Sequence, residues 1–177
     1  MGKVRKFSRE PEGSIITRNI KGGIDYIDSF CIEISTRDSS SVDYLTALLF
    51  TQVPGWVKVL LNLRNVLVKP FGLETGSMPE PENVKRSVHY NNGDRAVFFT
   101  VVERTGSEIV MAEDDRHLYF KVSVFVQKDS DPDHDRVFLT TLVQFHNLFG
   151  RLYFMPVKPF HRLIMIRMLK RFSCRCQ

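Results

Sequence analysis

Three cysteines in 177 residues leave little room for disulfide chemistry. Cys31, Cys174 and Cys176 are odd in number, in a chain large enough to fold without covalent staples. Cys174 and Cys176 form a lone C-x-C; a metal or redox centre needs further ligands, none lies nearby, and a frayed tail is expected there. The last four residues lack the aliphatic pair of a prenylation box. Long apolar runs are missing too. Charges interrupt the chain every few residues, and no run approaches the ~20 residues of a membrane-crossing helix. The opening MGKVRKFSREPEG has bases with no apolar core behind them, which argues against a secretory signal, and Lys6 stands where a myristoylation motif needs Ser or Thr. A cytoplasmic protein is expected. Motifs of chemistry are equally scarce: there is no G-x-G-x-x-G, no G-x-S-x-G, no H-E-x-x-H, no P-loop, and no cysteine close in sequence to a histidine.

What is present reads as one ordinary globular domain, 43% hydrophobic and 25% charged. A chain of this size buries roughly 70% of its unfolded surface. The net charge of +5 is unevenly spread. From Arg151 onward there are seven bases (Arg151, Lys158, Arg162, Arg167, Lys170, Arg171 and Arg175) and no acid, leaving 18 bases against 20 acids elsewhere. An excess confined to one terminal segment argues against a nucleic-acid partner and fits contact with an anionic membrane surface better.

The order of elements follows from hydrophobic period. Tyr26, Phe30, Ile32 and Ile34 share one parity in YIDSFCIEIS (26–35), a first strand. Serines then offer N-caps to a short helix, VDYLTALLF, with Val42, Leu45 and Leu49 on one face. Val53-Pro54-Gly55 breaks it, and GWVKVLLNLRNVLVK forms a second helix that Pro70 and Gly72 stop. After a turn-rich loop (74–83), VKRSVHY meets RAVFFTVVE across Asn91-Asn92-Gly93-Asp94, a strong hairpin signal. EIVMA, HLYFKVSVFVQ and RVFLTTLVQFH continue as strands, giving about six in all. A terminal helix begins near Phe149, with Pro156 and Pro159 expected to kink or restart it. Residues 1–25 read as an arm or lead, 26–173 as the domain and 174–177 as a tail; FSREPEGSIITRNIKGG (7–23) has no assigned role.

The order β, α, α, antiparallel meander, long helix resembles the helix-grip fold, the α+β architecture of START lipid-transfer domains, polyketide cyclases and birch-pollen allergens. In it a curved antiparallel sheet wraps a long C-terminal helix, here with two short helices after the first strand. PGWVKVLLNLRN, EDDRHLYFKVSV and FGRLYFMPVKPFHRLI are similar to an uncharacterised bacterial domain of that superfamily, found alone and behind short-chain-dehydrogenase-like domains. The resemblance spans about Tyr26 to Arg171. It implies a fold and a cavity, with any dehydrogenase-like partner a separate chain. It implies no activity or cofactor.

The residues support such packing independently. Leu118, Phe120, Val122, Val124 and Val126 share one parity, while His117, Tyr119, Lys121, Ser123 and Gln127 take the other, the period of a sheet with one covered face. Val137, Leu139, Thr141, Val143 and Phe145 repeat it, and Ile164, Met165, Met168, Leu169 and Phe172 form one arc of the terminal helix. Burying each such side chain contributes about 1.5–3 kcal/mol. A space between helix and sheet would be a natural ligand site, with Met155, Met165 and Met168 adaptable lining.

Polar residues in this pattern are the candidate site. His161 falls within the apolar arc, either as a core histidine satisfied by a carbonyl or hydroxyl, or as a ligand group. Arg64 flanks the buried side of the second helix, near Trp56. In AEDDRHLYFKVSV, Asp114 and Arg116 suit a hairpin tip. Asp115 and His117 could share a parity, with Asp115 pairing Arg64 and orienting His117 at a cavity mouth, half of an acid–base pair. Glu113, Asp115 and His117 also have metal-ligand chemistry at strand spacing, but a hairpin would separate Glu113 from His117, and no metal is expected. Three functions follow. One is a binding module holding a hydrophobic or amphipathic small molecule against Trp56, Arg64, Asp115, His117, Phe120, Val122, His161, Met165 and Met168. Another is a cyclase- or dehydratase-type enzyme using Asp115, His117 or His161 as acid or base. The third is a protein-interaction domain with a filled core. A homodimer through a sheet edge is compatible with all three.

Overall fold

The computed structural model describes residues 3–35, 41–57, 86–96, 99–129 and 131–175. Among them seven strands form one antiparallel sheet: β1 (Arg5–Phe7), β2 (Tyr26–Ser35), β3 (Arg95–Ala96), β4 (Phe99–Arg104), β5 (Glu108–Asp114), β6 (Leu118–Lys128) and β7 (His134–Phe145). They lie in the order β1-β2-β7-β6-β5-β4-β3. Helix α1 (Val42–Thr51) and the terminal helix α2 (Leu148–Arg175) complete the α+β architecture. The central ladders are long because β-branched and aromatic residues fill them: β6 and β7 pair from Leu118↔Phe145 to Lys128↔Asp135.

Seven strands replace the expected six, through three local differences. Arg5–Phe7 pairs with the middle of β2, Ser29 to Cys31, as an edge strand. The stretch expected as one strand, 95–103, folds back on itself, so that Arg95 pairs with Thr100 and Ala96 with Phe99. The Asn91–Asp94 turn is present, with Gly93 at φ 93° and the Asp94 N–H donating to the Asn91 carbonyl at 3.1 Å. Its upstream arm is not a strand over 86–90. Asp43 on α1 takes the Tyr90 N–H at 2.8 Å instead, holding that segment to the helix.

One face of the sheet carries the main core. Phe30, Ile32 and Ile34 of β2, Val122 and Val124 of β6, and Val137 and Leu139 of β7 pack with α1 and with Met165, Met168, Leu169 and Phe172 of α2. The parity expected for β6 and β7 and the arc expected for α2 are the ones observed, with Ile164 partly buried at the arc's edge. Ser41 caps α1, its hydroxyl accepting the Tyr44 N–H at 3.2 Å.

The prolines do not interrupt α2, which is helical from Leu148 through Cys174 to Arg175. Pro156 and Pro159 remove donors to the carbonyls of Leu152 and Met155, and all four residues are exposed, so water can take the freed carbonyls. The helix therefore extends into the stretch expected to be a frayed tail.

Much of the opposite face of the sheet is covered. Residues 8–25, between β1 and β2, lie over it as a strap. Ile15 and Ile16 pack on Val110 and Leu142. Glu108, fully buried, accepts the Ser14 hydroxyl at 2.6 Å, the Ile15 N–H at 2.7 Å and the Ser123 hydroxyl. Lys121, only 2% exposed, donates to the Ile16 and Arg18 carbonyls at 3.2 and 2.8 Å. Gln144 donates to the carbonyls of Lys21 and Gly23. The polar parity of β6, expected to face solvent, thus faces the backbone of this strap.

Candidate functional site

The decisive residue of the helix–sheet interface is an acid. Asp28 sits in β2 between Tyr26 and Phe30, on the parity that faces α2, and is 1% exposed. Its register partner on β7 is Thr141. Above them, His161 of α2 lies between Val157 and Met165, one helical turn to either side. The His161 Nε2 is 3.0 Å from the Thr141 Oγ1 and 4.0 Å from the Asp28 Oδ1. The Tyr26 hydroxyl donates to the other carboxylate oxygen, Oδ2. The Arg162 Nε is 3.6 Å from Oδ2 and donates to the Tyr26 hydroxyl at 3.3 Å. Lys158 stands over the Tyr26 ring at 4.7 Å.

This polar group divides two apolar clusters. Tyr26, Val143 and Phe154, with Phe120, Phe145 and Val157 beside them, lie toward the start of α2. The main core lies toward its end. Phe120 borders both, edge-on to the His161 ring at 6.0 Å and stacked on Phe99 at 5.5 Å. A packed core needs no carboxylate here, and the Asp28 Oδ1 is buried with no hydrogen-bond partner.

The electrostatics follow from burial. It lowers His161 below the ordinary imidazole value; Asp28 opposes the shift, and Arg162 adds to it. It raises the Tyr26 phenol above its usual value, helped by the bond to Asp28, so the hydroxyl stays protonated and donates. The pair available for chemistry is therefore a neutral imidazole beside a carboxylate. Cys31 is no rival nucleophile: it faces the other side of the sheet, and burial pushes its thiol up to about 11.

A second polar group, at the start of α2, contains the rest of the residues singled out in the sequence. Asp115 is a turn residue whose Oδ1 accepts the backbone N–H of His117 at 2.6 Å and of Leu118 at 2.9 Å. It does not orient the His117 ring. That ring lies against Phe149 at 4.6 Å between centroids, with its Nδ1 3.3 Å from the Asn147 Oδ1 and its Nε2 buried without a partner. Asn147 also caps α2 through the Gly150 N–H at 3.0 Å and donates to the Arg116 carbonyl at 3.1 Å. Asp114 pairs with His146 at 2.6 Å. The charged stretch 113–117 is thus a docking turn for the helix start. Thirteen residues of helix separate Asn147 from His161, about 20 Å along the axis, so Asp115 and His117 are not acid–base partners of His161.

Phe120, Val122, Met165 and Met168 lie on the helix-facing side with His161, whereas Met155 is 65% exposed and Trp56 39% exposed. Arg64, and with it the Asp115–Arg64 pair, falls outside the described residues, as does the second helix beyond residue 57. Among the described residues no three His, Cys, Asp or Glu side chains converge as a metal site. Arg151 pairs with Asp25 at 3.0 Å.

A family model described as protein of unknown function (DUF2867) matches residues 20–168. The chain belongs to the DUF2867 family. That match runs from the end of the strap through β2 and the sheet to Met168, so it takes in Tyr26, Asp28, Thr141, His161 and Arg162. A search of curated proteins and a search of solved structures both find no match. In this DUF2867 chain the residues that sequence reasoning missed are Asp28, Tyr26, Thr141 and Arg162. The signal for the first was present: Asp28 interrupts an otherwise apolar parity in YIDSFCIEIS.

Proposed function

We propose that this domain is a small-molecule binding module of helix-grip type. An apolar or amphipathic ligand would lie between α2 and the sheet with its hydrogen-bonding end on Asp28 and His161. The observation that carries this reading is the unpartnered Oδ1 of Asp28, buried at the helix-facing side of the sheet and 4.0 Å from an imidazole that burial keeps neutral. Leaving a buried acceptor unmet costs about 1–3 kcal/mol, more for a charged one. A ligand donor would remove that cost. Phe120, Val122, Met165 and Met168 supply apolar surface beside it. Trp56 and Arg64, expected in the same lining, are not needed for this contact.

A second reading is favoured by the same pair. A neutral imidazole beside a carboxylate is a general base, which suits a cyclase or dehydratase reaction that moves a proton on a carbon skeleton. His161 would accept the proton, Asp28 would stabilise the imidazolium, and Tyr26, held protonated, would fix Asp28.

Native mass spectrometry of the protein purified from cells tests the binding reading. A reproducible extra mass is expected on the wild type, released on denaturation and diminished in Asp28→Asn. A clean apo mass in both proteins would overturn it. Chemical change of the released molecule on incubation with the wild type but not with His161→Gln would move the assignment to the enzyme.

A further inference from the structure

Helix α2 has a second apolar stripe that does not face the sheet. Leu148, Leu152, Met155, Pro159 and Leu163 recur at i, i+4, i+7, i+11 and i+15, one line along an α-helix about 22 Å long. Leu148 is 69% exposed, Leu152 57% and Met155 65%, with Phe160 and Leu163 also exposed. Scattered apolar residues on a surface are ordinary; five in one row are not. Arg167 and Lys170 continue the same line beyond Leu163, with Arg171 beside them, and no ion pair joins these three to an acid among the described residues. Arg151, Lys158 and Arg162 form a parallel row on one flank, set by Asp25 and Asp28 of the β2 side.

The charge of the chain identifies the occupant. All seven bases from Arg151 onward lie in this segment, which has no acid, while the rest of the chain is close to neutral. A second copy docked along this face would bring two such rows together. A nucleic-acid backbone would satisfy the bases but leave Leu148, Leu152, Met155, Phe160 and Leu163 in water. An anionic bilayer surface takes both: phosphates meet the guanidinium and ammonium groups, and the apolar row enters the boundary between headgroups and acyl chains. No helix among the described residues is long and apolar enough to cross a membrane, and α2 is held to the sheet along its other side, so the contact is a shallow one in the plane of the surface.

We infer that the exposed face of α2 is a docking surface for anionic phospholipid membranes, seated by Leu148, Leu152, Met155, Phe160 and Leu163 and oriented by Arg167, Lys170 and Arg171. This stands apart from the ligand reading, because it uses the opposite side of the helix.

Co-sedimentation with vesicles tests it, comparing phosphatidylcholine alone with an equimolar mixture of phosphatidylcholine and phosphatidylglycerol. Binding is expected to the mixture, weak binding to phosphatidylcholine, and loss of binding as salt screens the charges. Leu152→Asp with Met155→Asp should lower partitioning more than tenfold. Each of Arg167→Gln and Lys170→Gln, which leave the apolar row intact, should lower it about fivefold. Failure of the wild type to sediment with the mixed vesicles, or equal sedimentation of the Leu152/Met155 variant, would overturn the inference. So would a dimer in solution that the Leu152/Met155 substitutions dissociate, since the face would then belong to a second copy. Binding to acidic protein in place of vesicles would assign it to a protein partner and overturn it as well.

Discussion

The backbone of His117 occupies the space where a side chain on Gly150 would begin: a Cβ there would overlap the His117 carbonyl oxygen. That carbonyl accepts the His146 N–H at 2.9 Å, so it is not free to move aside. The start of α2 is thereby clamped to the hairpin tip between β5 and β6, with Asn147 bonding to both.

Gly150→Ala should therefore be destabilising although alanine favours a helix by about 1 kcal/mol over glycine. Overlap with a fixed backbone atom outweighs that gain, and a net loss of about 1–3 kcal/mol is expected in urea unfolding. A raised midpoint would show that the turn and the helix do not approach so closely.

Glu108→Ala should loosen the strap. The hydroxyls of Ser14 and Ser123 and the Ile15 N–H would lose their shared acceptor, at a cost of about 2–3 kcal/mol for two buried donors and one part-buried one. Lys121→Met keeps the apolar stem but drops the bonds to the Ile16 and Arg18 carbonyls. Both variants should be cut by trypsin after Arg18 and Lys21 faster than the wild type. Equal cutting rates would mean that these side chains do not hold the segment.

His161 gives a pH dependence of stability whose sign is fixed. Its folded value is lowered by burial, while the unfolded chain titrates near the ordinary value of about 6.5. Above that value both states are neutral at this position and the contribution is fully present. As pH falls below it, the unfolded state binds a proton before the folded state does, and stability is lost. Denaturant midpoints of wild type and His161→Gln, compared from pH 7.5 downward, should show the steeper decline in the wild type. Parallel curves would mean that the imidazole is not held neutral.

Much of the helix-facing side was legible because hydrophobic period reports it directly. The even parity of β6, the odd parity of β7 and the arc from Ile164 to Phe172 pack as their spacing indicates. His161 stood out as a polar residue within such an arc, and the structure places it in the polar group. Asp28 carries the same signal in a strand, hidden because Tyr26, Phe30, Ile32 and Ile34 account for the parity without it.

Other features were hidden for a physical reason. Lys121 and Ser123 alternate with Val122 and Val124 as water-facing residues would, yet they bond to backbone or to a buried carboxylate. Period 2 records polarity, not what satisfies it. Asp115 and His117 read as a functional pair in the sequence because spacing alone does not tell a side chain bonded to backbone from one aimed at a neighbouring ring. The strap itself has no regular period, and its partners Glu108 and Lys121 lie 93 and 105 residues away.

That separation orders events during synthesis. Residues 14–18 leave the ribosome before either Glu108 or Lys121 has been made, so they have no surface to settle on. The β5–β6 platform must assemble first, so this segment is fastened only after residues translated well after it. Closure of so long a loop is slow, and until it occurs Val110 and Leu142 remain open to unwanted contacts with other newly made chains.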